Sequence, residues 1–250
     1  MVFHLAANPE VRHSTREPLE HYHQNLTATM HVLEAARRSN ARLVVFASSS
    51  TVYGDPTETP TPETHPLRPI SVYGATKAAG EILCETYARL YGLACLSLRY
   101  ANIVGPRLRH GVIYDFIMKL QKNPKRLEIL GDGTQKKSYL HVDDAVKATV
   151  KAAQHVLEAG KRTEVYNIGN RDWTTVKETA DAVAEAMGLQ GVEYVYRPAT
   201  PDGRGWPGDV KLMLLDIEKI VKDTGWAPRM TSSQAVKETA RQLVEELLKK

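Results

Sequence analysis

The run Leu43-Val44-Val45-Phe46-Ala47 constrains this chain more than any other stretch. Successive side chains of a strand point to opposite faces, so five apolar residues in a row need cover on both sides. That is the situation of a strand inside a parallel sheet, with helices supplying the cover. The neighbouring segments agree. Val2–Ala6 reads as a short buried strand, and Pro18–Arg38 as a helix with an apolar stripe at Leu26, Met30, Leu33 and Ala36. Ser71–Tyr91 reads as a helix capped by Ser71 and stopped by Gly92, and Ala94–Arg99 as another strand. Asp55–Pro69, rich in Pro and Thr, is loop. Such alternation implies right-handed crossovers and an α/β fold.

The second half is less regular. Asn102–His141 carries many Gly and basic residues around one helix near Ile113–Gln121. His141–Glu158 reads as a helix, Val165–Ile168 as a strand, and Thr175–Met187 as a helix whose Thr175 and Glu178 fit a capping box. Ser233–Leu248 closes the chain as an amphipathic helix. Internal repeats are absent.

A chain of 250 residues is long enough to bury a substantial core. No apolar run approaches the ~20 residues that cross a bilayer. The opening MVFHLAANPEV has no basic region ahead of a long apolar stretch, and a cytoplasmic location is expected. The net charge is +4. Lys119, Lys122, Lys125, Arg126, Lys136 and Lys137 gather in one region, first as a solvated face and second as a site for a phosphate-bearing small molecule; no motif points to nucleic acid. Cys84 and Cys95 sit in apolar segments and read as packing residues. His21 and His23 have no further ligands at a usable spacing, so no metal site is expected.

Tyr73 and Lys77 lie four apart on one helix and share a face. A tyrosine, with a reference pKa of ~10, is a poor base at neutral pH. An adjacent ammonium and the first turn of a helix both favour the phenolate. Alone the pair is weak, because among 11 tyrosines chance supplies about one such spacing. Its context is more specific. Ser48-Ser49-Ser50-Thr51-Val52-Tyr53-Gly54 follows directly on the buried strand, and open α/β sheets bind ligands beyond the carboxyl ends of their strands.

With these blocks in order, the chain resembles the extended short-chain dehydrogenase/reductases, NAD-dependent epimerases and dehydratases, and within them the archaeal and bacterial UDP-glucose 4-epimerase group. The resemblance rests on Phe3–Ala7 (FHLAA), Asn25, Ser48–Gly54, Ser71–Lys77 (SVYGATK), Leu98–Arg107 (LRYANIVGPR), Gly131–Ala145, Asn167–Asn170 (NIGN) and Arg204–Lys211 (RGWPGDVK). It implies NAD as cofactor and Ser49, Tyr73 and Lys77 as catalytic residues. It implies that Leu5, Ala6, Ala7, Asn25, Ser48 and Tyr100 join Tyr73 and Lys77 in holding the cofactor. Ser49, Ser50, Tyr73, Asn102, Lys137, Arg204 and Asp209 would bind a nucleotide-linked hexose. It also implies a homodimer built on the helices Pro18–Arg38 and Ser71–Tyr91.

Several positions depart from the pattern. Related 4,6-dehydratases carry Asp-Glu after the catalytic hydroxyl residue; here Ser50 and Thr51 stand there, which disfavours dehydration. Lys137 stands where many relatives have an arginine, keeping the charge but losing the bidentate fork. Trp206 replaces another phosphate-binding arginine, with Arg204 two residues earlier as a substitute. Met213 falls where side-chain size bears on N-acetylated sugars and is intermediate. The chain opens at what would be the fourth strand, so the Gly-rich pyrophosphate turn is not in it. A fragment or a mis-assigned gene start is expected, with an in-frame G-x-x-G-x-x-G upstream of Met1. The literal G-x-G-x-x-G at Gly203–Gly208 is rejected: no strand runs straight into it, and Pro207 removes one N–H donor.

The expectation is therefore an α/β protein: an incomplete doubly wound Rossmann-type parallel sheet, its N-terminal strands missing, interleaved with a smaller substrate-binding domain. The NAD-binding part would take residues 1–103, 141–158 and 164–170, and the substrate-binding part 104–140 and 171–250. The expected reaction is epimerisation at C4 of a UDP-hexose through a transient 4-keto sugar. The alternatives are another sugar-nucleotide enzyme (a reductase, or a uronate or N-acetylhexosamine epimerase) and a non-catalytic relative.

Overall fold

Four parallel strands, Val2–His4, Leu43–Ser49, Ala94–Tyr100 and Thr163–Ile168, hydrogen-bond side by side in that order. They are the strands that the apolar runs predict. Leu43, Val44, Val45 and Phe46 are all essentially inaccessible, which a strand achieves only when both of its faces are covered. Val44 and Phe46 pack against Leu33 and Ala36 of the helix Ala28–Arg38, and against Cys84 and Tyr87 of the helix Val72–Tyr91. Phe46 comes so close that a Cβ added to Gly80 would lie 2.5 Å from its ring. Only glycine admits that approach.

The computed structural model describes residues 1–248; Lys249 and Lys250, expected in the second unit, lie outside the described residues. The chain divides into two compact units. The first comprises Met1–Ala101, Val146–Ile168 and Leu215–Ala227; the second takes Asn102–Ala145, Gly169–Leu214 and Pro228 onward. The expected boundaries differ chiefly at 215–227, which joins the first unit. Polar links hold it there. Tyr166 Oη donates to Asp223 Oδ2 at 2.7 Å, Lys219 Nζ to Val165 O at 2.8 Å, and Asp216 N to Thr61 O at 2.9 Å.

Local signals set the helix ends. Ser71 Oγ accepts from Gly74 N at 3.1 Å, and Gly92 stops the same helix in the left-handed region at φ 69°. Thr175 and Glu178 close a reciprocal capping box ahead of the helix Val176–Ala186. The segment Pro18–Arg38 is not one regular helix. Between Pro18–His21 and Ala28–Arg38 it widens at Tyr22–Thr27. There Asn25 turns inward: its Oδ1 accepts from Asn8 N at 2.7 Å and its Nδ2 donates to Thr76 Oγ1 at 3.3 Å. Widened turns of this kind often mark functional sites.

In the second unit the helices Gly111–Lys122, Val176–Ala186 and Ser232–Leu248 bury Ile113, Phe116, Ile117, Leu120, Val183, Val236 and Leu243 together. Short strands that the sequence reading does not anticipate complete it. Arg126–Leu130 pairs with Glu193–Arg197, Asn102–Val104 with Tyr139–His141, and Lys136–Lys137 with both Leu212–Met213 and Thr174–Thr175. Strands of two to five residues carry too little pattern to be read locally. Their partners, distant in sequence, decide them.

Candidate active site

Ser49 ends the strand Leu43–Ser49 in an extended conformation, and its side chain caps the short turn Ser50–Tyr53. Its Oγ accepts from Thr51 N at 3.2 Å and from Thr51 Oγ1 at 3.0 Å. Two donors on the acceptor side leave the Ser49 proton to be given away. Ser49 shares a side-chain hydrogen bond with the Tyr73 phenol.

The helix start is brought against this turn by Gly74, where a Cβ would lie 2.6 Å from Thr51 O. Tyr73 is half-buried in the first turn of that helix. One turn further on, Lys77 is buried; its Nζ lies 5.8 Å from the Tyr73 ring centre and donates to Ala47 O at 2.7 Å. Ser49, from the preceding strand, therefore joins Tyr73 and Lys77 of the helix in one cluster in the first unit.

The electrostatics differ from the expectation that the lysine makes the phenol acidic. Burial pushes the Tyr73 phenol above its ordinary value, and the Ser49 hydrogen bond offsets this only in part. Burial also pulls the Lys77 ammonium down to about 8. Burial is the largest cause for both groups, and it disfavours the charged form of each.

The Lys77 shift has a consequence for stability. The folded pKa lies below the unfolded value of 10.5, so the native state bears the cost of the ammonium at every pH below about 8. It sheds that cost as pH rises from there to 10.5. A Lys77→Met chain is expected to be more stable than the parent at pH 7 by roughly 2 kcal/mol, after allowance for the lost Ala47 hydrogen bond. The gap should close between pH 8 and 10.5. Urea midpoints at pH 7 and pH 10 check this, and a variant less stable than the parent at pH 7 would contradict it.

The other expected residues are placed as follows. Leu5 and Ala6 are exposed and Ala7 half-buried, just beyond the edge strand Val2–His4. Asn25 is buried and joins Asn8 to Thr76, the neighbour of Lys77. The Ser48 hydroxyl donates to Glu81 Oε1 inside the fold. The Tyr100 hydroxyl pairs with Thr149 Oγ1 at 2.6 Å, and burial pushes its pKa up to about 12. Ser50 is buried at the start of its turn.

Within the second unit, Lys137 Nζ donates to Asp209 Oδ1 at 2.7 Å and lies 5.6 Å from the Trp206 ring centre. Arg204 Nη1 donates to Asp209 O, and Gly205 N to Asp209 Oδ2 at 3.3 Å. Lys137, Arg204 and Asp209 thus form a second cluster, with Asp209 buried as its anchor. Asn102 Nδ2 donates to Ser138 O, beside Lys137, at 3.0 Å. The loop Gly203–Gly208 opens no helix; the next one begins at Glu218.

Sequence reading passed over several residues at the first cluster. Thr51 orients Ser49. His21, wholly buried, sets its ring edge-on to Tyr73 with centres 6.3 Å apart, and its Nε2 has no hydrogen-bond partner. Glu81 and Arg99 lie behind the cluster as a buried ion pair. The signal for Glu81 was its place at i+8 from Tyr73 on one helix face. That for Arg99 was a charge inside an apolar strand.

A parallel sheet with a serine at the end of an inner strand, and a Tyr-x3-Lys helix laid against it, defines a dinucleotide-dependent enzyme of the short-chain dehydrogenase/reductase type. Comparison with known proteins narrows the class. The family model described as NAD dependent epimerase/dehydratase family matches residues 1–169, and the chain belongs to that family. It is similar to a crystal structure of a UDP-galactose 4-epimerase, with a TM-score of 0.89 and 55% identity over 98% of this chain and 78% of that one. A UDP-glucose 4-epimerase from Thermotoga maritima, solved with UDP-glucose, gives a TM-score of 0.85 and 33% identity, covering 98% and 77%. A UDP-glucose 4-epimerase from Mycolicibacterium smegmatis is 33% identical over 96% of this chain and 74% of its own length.

The residues at the first cluster fit the nicotinamide end of such a cofactor. An ammonium has three N–H donors; Lys77 uses one on Ala47 O, which leaves donors for ribose hydroxyls.

Proposed function

We propose that the protein interconverts UDP-galactose and UDP-glucose by NAD-dependent epimerisation at C4 of the sugar. The observation that carries this reading is the helix start bearing Tyr73 packed at Gly74 against the turn that Ser49 caps, with the buried Lys77 ammonium 5.8 Å from the Tyr73 ring centre. The similarity to epimerases of this type supports it.

Tyr73 and Lys77 would hold the nicotinamide ribose; bound NAD supplies a reversible hydride acceptor, so no net redox change occurs. Tyr73, as phenolate, takes the proton of the sugar 4-hydroxyl. Ser49 donates to the oxygen as it becomes a carbonyl. Thr51 keeps the Ser49 proton aimed at that position. When the sugar returns to the alcohol, Tyr73 hands the proton back. Without an acid at positions 50 and 51, the site has no group to expel water from the neighbouring carbon.

On this reading the first unit binds NAD, with Leu5, Ala6, Ala7, Asn25 and Tyr100 around it, and Ser48 acting through its backbone. Lys137 and Arg204 of the second unit take the diphosphate, and Asp209 holds the two cations in place. Ser50 and Asn102 belong to the substrate side. A homodimer is supported by exposed Leu19, Met30, Ile82 and Leu90 on the helical segments proposed for its interface. No described helix is long and apolar enough to cross a membrane, and a cytoplasmic location is proposed.

The test is direct. Purified protein given UDP-galactose should form UDP-glucose without accumulating NADH. Lys137→Met should raise KM for UDP-galactose by about tenfold, the loss of one charged contact of ~1.4 kcal/mol, with kcat little changed. A protein that carries NAD yet leaves UDP-galactose untouched, while acting on a UDP-uronate or UDP-N-acetylhexosamine, would shift the substrate assignment to that sugar.

A further inference from the structure

Behind Ser49 lies a polar network in which only Ser48 has an expected role. Arg99 and Glu81 are both buried, joined by Nη2 to Oε2 at 2.7 Å and by Nε to Oε1 at 3.0 Å. Ser48 Oγ donates to the same Glu81 Oε1. Arg99 Nη1 donates to Tyr53 Oη and to Glu63 O, each at 2.9 Å. Tyr53 Oη passes a hydrogen bond to Asn167 Oδ1 at 2.7 Å, and Asn167 Nδ2 donates to Thr61 O and Asp216 O. Burial pushes the Tyr53 phenol up to about 12, so it remains a neutral donor.

A buried ion pair is weak evidence for stability, since apolar residues of similar volume often serve as well. Its position is the informative part. Ser48 precedes Ser49, and Glu81 follows Lys77 by one helical turn on the face that carries Tyr73. Phe46 and Ser48 share a strand face, and each meets the helix in turn, Phe46 at Gly80 and Ser48 at Glu81. Lys77 adds a third tie at Ala47 O. Three successive strand residues are thus fixed in register against the helix that carries Tyr73, immediately before Ser49.

We propose that Ser48, Glu81 and Arg99 are positioning residues for the reaction: they lock the end of the strand Leu43–Ser49 to the helix Val72–Tyr91 and thereby set the Ser49 hydroxyl against the Tyr73 phenol. The inference rests on the epimerase reading. Ser48 is the informative position, because losing its hydroxyl leaves the Glu81–Arg99 pair intact. A shift of about an ångström at a reacting group costs up to ~10²-fold in rate.

The experiment compares Ser48→Ala, Ser48→Thr and Tyr73→Phe. In Ser48→Ala, kcat for UDP-galactose should fall between about ten- and a hundredfold with KM within about twofold. Ser48→Thr, which keeps the hydroxyl, should recover most of the rate. A readout independent of turnover is the Tyr73 titration, isolated as the absorbance difference between each protein and its Tyr73→Phe counterpart. The phenol should titrate about one unit higher in Ser48→Ala, as the Ser49 hydrogen bond weakens. Should Ser48→Ala fail to fold, Glu81→Gln, which retains an acceptor for Ser48 and Arg99, takes the same tests. Unchanged kcat together with an unchanged Tyr73 titration, in a protein where Tyr73→Phe abolishes turnover, overturns the positioning role and leaves the epimerase reading standing. Full turnover in Tyr73→Phe overturns both.

Discussion

Tyr73→Phe is expected to lower kcat by about 10²–10⁴-fold, the range for removing a positioned proton-transfer group. Binding should change little, since the ring remains and only one hydroxyl is lost. KM for UDP-galactose should stay within a few-fold, and bound NAD should persist because Lys77 still supplies its ammonium. The pH profile distinguishes a lost base from a lost contact. The parent needs the phenolate, and burial holds the phenol above its ordinary value. Its kcat/KM should therefore climb with pH through neutrality. As pH passes about 8, where Lys77 gives up its proton, the climb should weaken. Residual turnover in Tyr73→Phe should lack the limb that belongs to the phenol. Steady-state rates from pH 6 to 9 on both proteins check this. Undiminished turnover in the variant would show that another group moves the proton.

The second large effect is on stability. Arg99→Met removes the guanidinium that grips Glu81 through Nη2 and Nε and also donates to Tyr53. Glu81 then keeps a carboxylate, 7% exposed, with Ser48 as its remaining side-chain partner. Breaking a buried pair in this way costs about 3–5 kcal/mol. For a chain of this size that lowers Tm by roughly 6–20 °C. A double variant, Arg99→Met with Glu81→Leu, removes both charges and should regain most of the loss, because the penalty comes from the stranded carboxylate. Urea unfolding of the two single variants and the double variant measures the coupling. A double variant no more stable than Arg99→Met would show that packing around Tyr53 and Asn167, rather than the carboxylate, carries the cost.

What was legible beforehand follows from range. The run Leu43–Ala47 demanded burial on both faces, and no distant residue had to be known to say so. Ser71, Gly92, Thr175 and Glu178 end helices through hydrogen bonds and backbone angles set within a few residues, so their roles were legible too. Tyr73 and Lys77 stood out because helical spacing places them on one face. The pairing of Arg126–Leu130 with Glu193–Arg197 could not be read, because neither segment has an apolar face of its own long enough to be distinctive. The widened turn at Tyr22–Thr27 was equally hidden: Asn25 distorts the helix by bonding to Asn8 and Thr76.

Sequence alone determined the parallel α/β class and most of the main helices, because these are written in periodicity and local caps, while the three residues proposed for the chemistry came from a resemblance carried by blocks spread along the chain. Only the tertiary structure decided that Leu215–Ala227 belongs with the first unit, that Ser48 turns to Glu81, and that Asp209 anchors Lys137. For Tyr73 it adds burial, which pushes the phenol up. An ammonium four residues away can be counted along a helix, but the water excluded from around a phenol depends on every segment that folds over it.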